Sequence, residues 1–187
     1  MTAGALGFLA ANVWALLDGA RGVIDPDVED MVVALRASNT ELWDAEDRAR
    51  AATADAEVAA EKALIDKLNA QRVQLVAELD RALHGRLVRD PSAPPCTETP
   101  GSVCDRLSIL HLRIRRTAAR AADGTDHVGG RLPGLRAQAA ELGHAFEILL
   151  DDLREGRRSF TVHPPYKLYG APAAEPSSAP PADGQAR

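Results

Sequence analysis

The sequence predicts an all-α protein: an antiparallel bundle of about five helices, with an extended C-terminal strap and a disordered tail. Three observations carry that expectation. Hydrophobic residues make up 45% of the 187-residue chain but aromatics only 4%. Much of the apolar share is therefore alanine, which favours helix, whereas a sheet asks for β-branched and aromatic residues. Apolar residues also recur at helical spacing in five segments, and Gly- or Pro-rich stretches separate those segments.

The first helix is expected over about residues 4–19, where Leu6, Leu9, Val13, Leu16 and Leu17 recur at helical spacing. The uncharged run Ala5 to Leu17 resembles a signal-peptide core, but no Lys or Arg precedes Arg21. A secretory signal normally opens with positive charge, and the run is too short to span a bilayer. Gly19, Gly22 and Pro26 mark the next turn. The second helix runs from about Asp27 to Ala52. Its apolar stripe of Val28, Val32 and Leu35 continues as Asn39, Leu42, Glu46 and Arg50, with Trp43 at the edge.

The third helix, about Asp55 to His84, places Val58, Glu61, Ile65, Leu68, Arg72, Leu75 and Leu79 on one face. Glu61 and Arg72 thus occupy positions that periodicity assigns to core. A loop over 85–98 carries Pro91, Pro94 and Pro95. The fourth helix follows, from about Pro100 to Ala122. Val103, Leu107, Leu110 and Ile114 share one side, and Ile109 and Leu112 lie roughly opposite. A helix apolar on two sides is central in its domain or buried in an oligomer interface. After a Gly-rich turn at Asp123–Gly130, a fifth helix from about Leu132 to Arg157 stripes Leu135, Ala139, Leu142, Phe146, Leu149 and Leu153. Phe160 to Tyr169 reads as the strap. Residues 1–170 form one domain, and 171–187, rich in Ala, Pro, Ser and Gly, form the tail.

The net charge of −5 argues against a sequence-independent nucleic-acid binder. Arg113, Arg115, Arg116 and Arg120 fan around more than one helix face and read as a solvated surface. Cys96 and Cys104 make no disulfide framework, and reduced thiols in a cytoplasmic protein are expected. No Cys/His spacing resembles a zinc site. Glu141-Leu142-Gly143-His144 has the Glu-x-x-His spacing of bundle di-iron sites but lacks a second copy. No nucleophile triad and no Gly-rich phosphate loop can be assembled. Neither metal nor cofactor is expected.

Two features carry site chemistry. The polar interruptions Asn39, Glu46, Arg50, Glu61 and Arg72 form either a buried network that sets helix register or the lining of a polar cavity. The helix start Thr99-Pro100-Gly101-Ser102 is well capped, with Ser102 and Asp105 available for a capping-box variant. Its free N–H groups, with Arg106 nearby, also suit an anion.

Several stretches together resemble a bacterial family catalogued as a domain of unknown function, numbered four-two-five-four. They are Asn39-x-x-Leu42-Trp43-x-x-Glu46-Asp47-x-x-Arg50, Ile65-Asp66-x-Leu68-Asn69-x-x-Arg72, and Thr97 to Ser102 running into Asp105-Arg106-Leu107-Ser108-Ile109-Leu110. Lys167-x-Tyr169 is a weaker fourth. The resemblance covers about residues 30–170. It departs at Val73-Gln74, where the family often carries Asn-Asp, and in the short strap His163-Pro164-Pro165-Tyr166. It implies a helical, cytoplasmic protein with relatives near sugar-transfer and surface-polysaccharide genes.

The leading expectation is an accessory protein that binds a small anion, a sugar phosphate or nucleotide sugar. Its cleft would use Asn39, Trp43, Glu46, Asp47, Arg50, Asp66, Asn69 and Arg72, with Thr99, Gly101, Ser102, Asp105 and Arg106 as the anion cradle. One alternative is an enzyme with Glu46, Asp47 or Asp66 as general acid or base. Another is a scaffold, homodimeric through the two-sided fourth helix. No nucleic-acid or membrane partner is expected.

Overall fold

The computed structural model describes residues 13, 15–17, 25–87, 90, 92–123 and 127–163. Four long helices and one 3-10 turn account for most of them. Helix α1 spans Pro26–Ala51, α2 Asp55–His84, α3 Pro100–Ala122 and α4 Leu132–Arg154, with the 3-10 turn His127–Arg131 leading into α4. Val13 and residues 15–17 are helical, and Val13, Leu16 and Leu17 are buried in the core. The rest of the expected first helix, the strap beyond His163 and the tail lie outside the described residues.

Local chemistry explains most helix ends. Asp25 accepts the Asp27 N–H at 3.1 Å, and Pro26 starts α1, where its missing donor costs nothing. Thr99 accepts the Ser102 N–H at 3.2 Å ahead of Pro100 in α3. Asp105 takes no part in that cap; it faces α1 and α2 instead. Helix α4 ends at Arg154, three residues short of the expected end at Arg157. The reason is Gly156, whose φ of 70° ends the helical run. The Gly156 N–H then bonds Leu153 O at 3.4 Å and the Arg157 N–H bonds Asp152 O at 2.8 Å, a Schellman closure.

Packing follows from the short connections. Three residues join α1 to α2, so the two helices form an antiparallel hairpin. Helix α3 packs on both, and α4 packs on α3. Helix α3 is buried along one broad side, by Val103, Cys104, Leu107, Ser108, Leu110 and His111, whereas Ile109 and Leu112, expected on the opposite side, are only partly buried. Among the described residues there is no strand. Pro95 and Ser159 form an isolated parallel bridge, with the Cys96 N–H donating to Ser159 O at 2.7 Å. This bridge ties the proline-rich loop to the start of the strap, and Phe160 then packs edge-on against His84 at 5.3 Å.

Composition changes along the bundle axis. At one end Leu16, Val32, Leu35, Leu79, Leu83, Leu107 and Phe146 make an apolar core. At mid-height the layer turns polar around Asn39 and Ser108. Toward the α1–α2 turn it becomes ionic. No helix among the described residues is long and apolar enough to cross a membrane.

Candidate functional site

The polar layer is built by three helices. Asn39 of α1 is 4% exposed. Its amide donates to Asp105 Oδ1 at 2.9 Å and to Ser108 Oγ at 3.2 Å, both on α3. Arg72 of α2 reaches Asp105 Oδ2 at 3.8 Å. That separation is an ion contact and not a hydrogen bond. The cluster is incompletely spent. Asn39 Oδ1 is buried without a hydrogen-bond partner among the described residues. The Arg72 guanidinium carries five donors and makes no hydrogen bond among the described residues. The Arg72 and Asp105 side chains are 27% and 17% exposed, so one edge of the cluster is open to solvent. Asn69 lies one turn before Arg72, and buried His111 one turn beyond Ser108.

The start of α3 is occupied from inside the chain. Asp80 of α2, 4% exposed, accepts the Gly101 N–H at 2.7 Å. Glycine is required there, because a Cβ would lie 2.7 Å from Val76 O and 2.8 Å from Asp80 Oδ1. Burial raises the Asp80 carboxyl above its ordinary value, against hydrogen bonds from Thr99 and Gly101 that lower it. The helix start that suits an anion thus holds a side-chain carboxyl of its own.

The remaining expected residues lie elsewhere. Trp43 donates to Asp47 Oδ2 at 2.9 Å, and Arg50 binds Asp47 at 2.6 Å and Glu46 at 3.1 Å. Arg116 pairs with Asp44, and Arg120 lies 3.9 Å from Asp47. These groups form an ionic lattice at the α1–α3 end. The Arg50 hydrogen bond holds the Asp47 carboxyl below its ordinary value. Such a carboxylate stays ionised and is a poor general acid. Glu46 and Arg50 stand about 10 and 16 Å along α1 from Asn39 at helical rise. Arg106 pairs with Glu98 at 2.6 Å, toward α4. Asp66 is exposed. Arg50, Arg72 and Arg106 therefore do not converge; each faces its own acid. Glu61, which periodicity assigns to core, is paired with Arg48 at 2.7 Å at the end of the hairpin.

Asn39, Arg72 and Asp105 are thus brought together, with Asn69 adjacent, while Trp43, Glu46, Asp47 and Arg50 form a second group. Asp80, Ser108 and His111 were missed. Asp80 carried a signal: an acid between Leu79 and Leu83 on an otherwise apolar face. Both cysteines are free, and burial pushes the Cys104 thiol far up. His144 is exposed and faces Glu147 at 3.6 Å. Among the described residues no cluster of His, Cys, Asp or Glu could hold a metal.

A family model described as a protein of unknown function (DUF4254) matches residues 29–162. No curated protein and no solved structure matches the chain. The matched span contains all four described helices apart from the first residues of α1.

Proposed function

The chain belongs to the DUF4254 family, and from that premise we infer that it is a cytoplasmic accessory protein binding a small hydroxylated anion at the Asn39–Arg72–Asp105–Ser108 cluster. A sugar phosphate or nucleotide sugar, handled in a glycosylation or polysaccharide pathway, has the matching chemistry. One observation carries the reading: Arg72 donors and the Asn39 Oδ1 acceptor lie in the same layer with hydrogen-bonding capacity unspent.

A buried acceptor without a partner costs about 1–3 kcal/mol. A ligand hydroxyl donating to Asn39 Oδ1 would remove that cost. A phosphate oxygen pair suits the guanidinium fork of Arg72. Asp105, already holding Asn39, would take a second ligand hydroxyl and so favour a polyol over a bare anion. Ser108 can donate its own hydroxyl proton while accepting from Asn39.

The competing reading is a purely structural network, which the two Asn39 hydrogen bonds favour. Thermal melts against a panel of hexose phosphates and nucleotide sugars separate the two. The binding reading expects a concentration-dependent rise in Tm for wild type and none for Arg72→Met, which keeps the aliphatic stem. If no member of the panel moves wild type, the cluster is structural.

A further inference from the structure

The outer face of the α1–α2 hairpin, away from the polar cluster, carries a groove. Ala34, Ala37, Ser38 and Glu41 of α1 face Ala70 and Leu75 of α2 across it. Along the α2 side run Lys67, Gln71, Gln74 and Glu78, all exposed. We propose that this groove is a homodimer interface, in which α2 of one copy lies antiparallel on α2 of a second copy.

The argument is charge complementarity read through symmetry. The four residues recur at spacings of four, three and four, so they form one narrow stripe that reads the same in both directions. Turning a second stripe end for end sets Lys67 against the second copy's Glu78 and Gln71 against its Gln74. Twofold symmetry makes each contact twice. Amide against amide matches donor to acceptor. The ends of the stripe cannot pair within one chain, because eleven residues of helix hold them about 16 Å apart. Neither Lys67 nor Glu78 has an ion-pair partner among the described residues.

The groove also fits on size and polarity. Its alanines let a second helix approach closely. Ser38 is 8% exposed, and its hydroxyl has no hydrogen-bond partner among the described residues. A glutamine amide from the second copy would supply one. Exposed ion pairs contribute little affinity, so they set the register of a weak dimer more than its strength.

Sedimentation equilibrium over a concentration series reaching the high micromolar range tests this. Wild type should approach twice its monomer mass. Lys67→Glu and Glu78→Lys each place like charges together, and each alone should dissociate about tenfold more readily. Mixed in equal amounts, these two variants bring only opposite charges together and should associate at least as well as wild type. Ala37→Arg, which fills the exposed groove floor, should be monomeric with an unchanged melt. A monomeric wild type, single variants that associate like wild type, or a mixture that fails to recover would each overturn the proposal.

Discussion

Asn39 and Asp105, 66 residues apart in the chain, are joined by a hydrogen bond of 2.9 Å that runs from α1 to α3. It crosses the bundle where the apolar core gives way to polar side chains. A hydrogen bond to a charged group contributes about 1.5–3 kcal/mol. Asn39→Ala should destabilise the protein by that amount, since it also strips Ser108 of its donor. A urea-denaturation cycle combining Asn39→Ala with Asp105→Ala should return a coupling energy of at least 1 kcal/mol by order of magnitude. Strict additivity would show that the two residues do not stabilise each other.

Gly101 marks a close approach of α3 to α2. Gly101→Ala places a methyl against the Val76 carbonyl, which is backbone and cannot swing aside. The expected loss is roughly 2–3 kcal/mol, in the range of overpacked cores. Gly134 in α4 is the control, because a Cβ there meets nothing within 4 Å. Gly134→Ala should stabilise by about 0.5–1 kcal/mol through helix propensity. Equal effects at the two glycines would contradict the packing described for Gly101.

The pH dependence of Asp80 has a definite sign. Burial raises its folded value above the ordinary 3.8. Between those two values the native state holds more protons than the unfolded state, so stability falls as pH rises through the window. Asp47 and Glu61, whose folded values are lowered by Arg50 and Arg48, act in the opposite sense. Their stabilisation is lost as pH falls. The difference between wild type and Asp80→Asn cancels those two contributions. Relative to the variant, wild type should lose stability on going upward from pH 3.8. A rise over that window in paired denaturation curves would refute the assignment.

Arg50 should behave as a surface residue. Its side chain is 62% exposed and its partners lie on its own helix. Arg50→Ala should change stability by less than about 1 kcal/mol, with a difference that shrinks in high salt. It should leave binding of any hexose phosphate unaltered. Loss of binding in this variant would move the site to the ionic end of the bundle.

The helices were largely legible because periodicity and caps are local. Pro26, Pro100 and Gly85 each stand where an element starts or stops. The α4 end was misplaced because the Schellman turn depends on backbone angles at Gly156 rather than on hydropathy. The site was legible only in part. Periodicity marked Asn39 and Arg72 as interruptions of a core face, and they do meet Asp105. The same stripe carried Glu46 and Arg50, which are half-buried and exposed respectively because α1 and α2 run on past the apolar core. A stripe on one helix cannot show where its partner helices stop. Asp80 went unremarked because its partner is a backbone N–H, which no side-chain pattern displays.

An NMR titration of isotopically labelled protein with a hexose phosphate addresses the central claim most directly. The Arg72 Nε–H and Asn39 side-chain amide signals are the probes. The account predicts saturable shifts in both, while the Arg50 Nε–H stays still. Unmoved Arg72 and Asn39 signals at saturating concentration, or saturable shifts confined to Arg50 or Arg106, would contradict it.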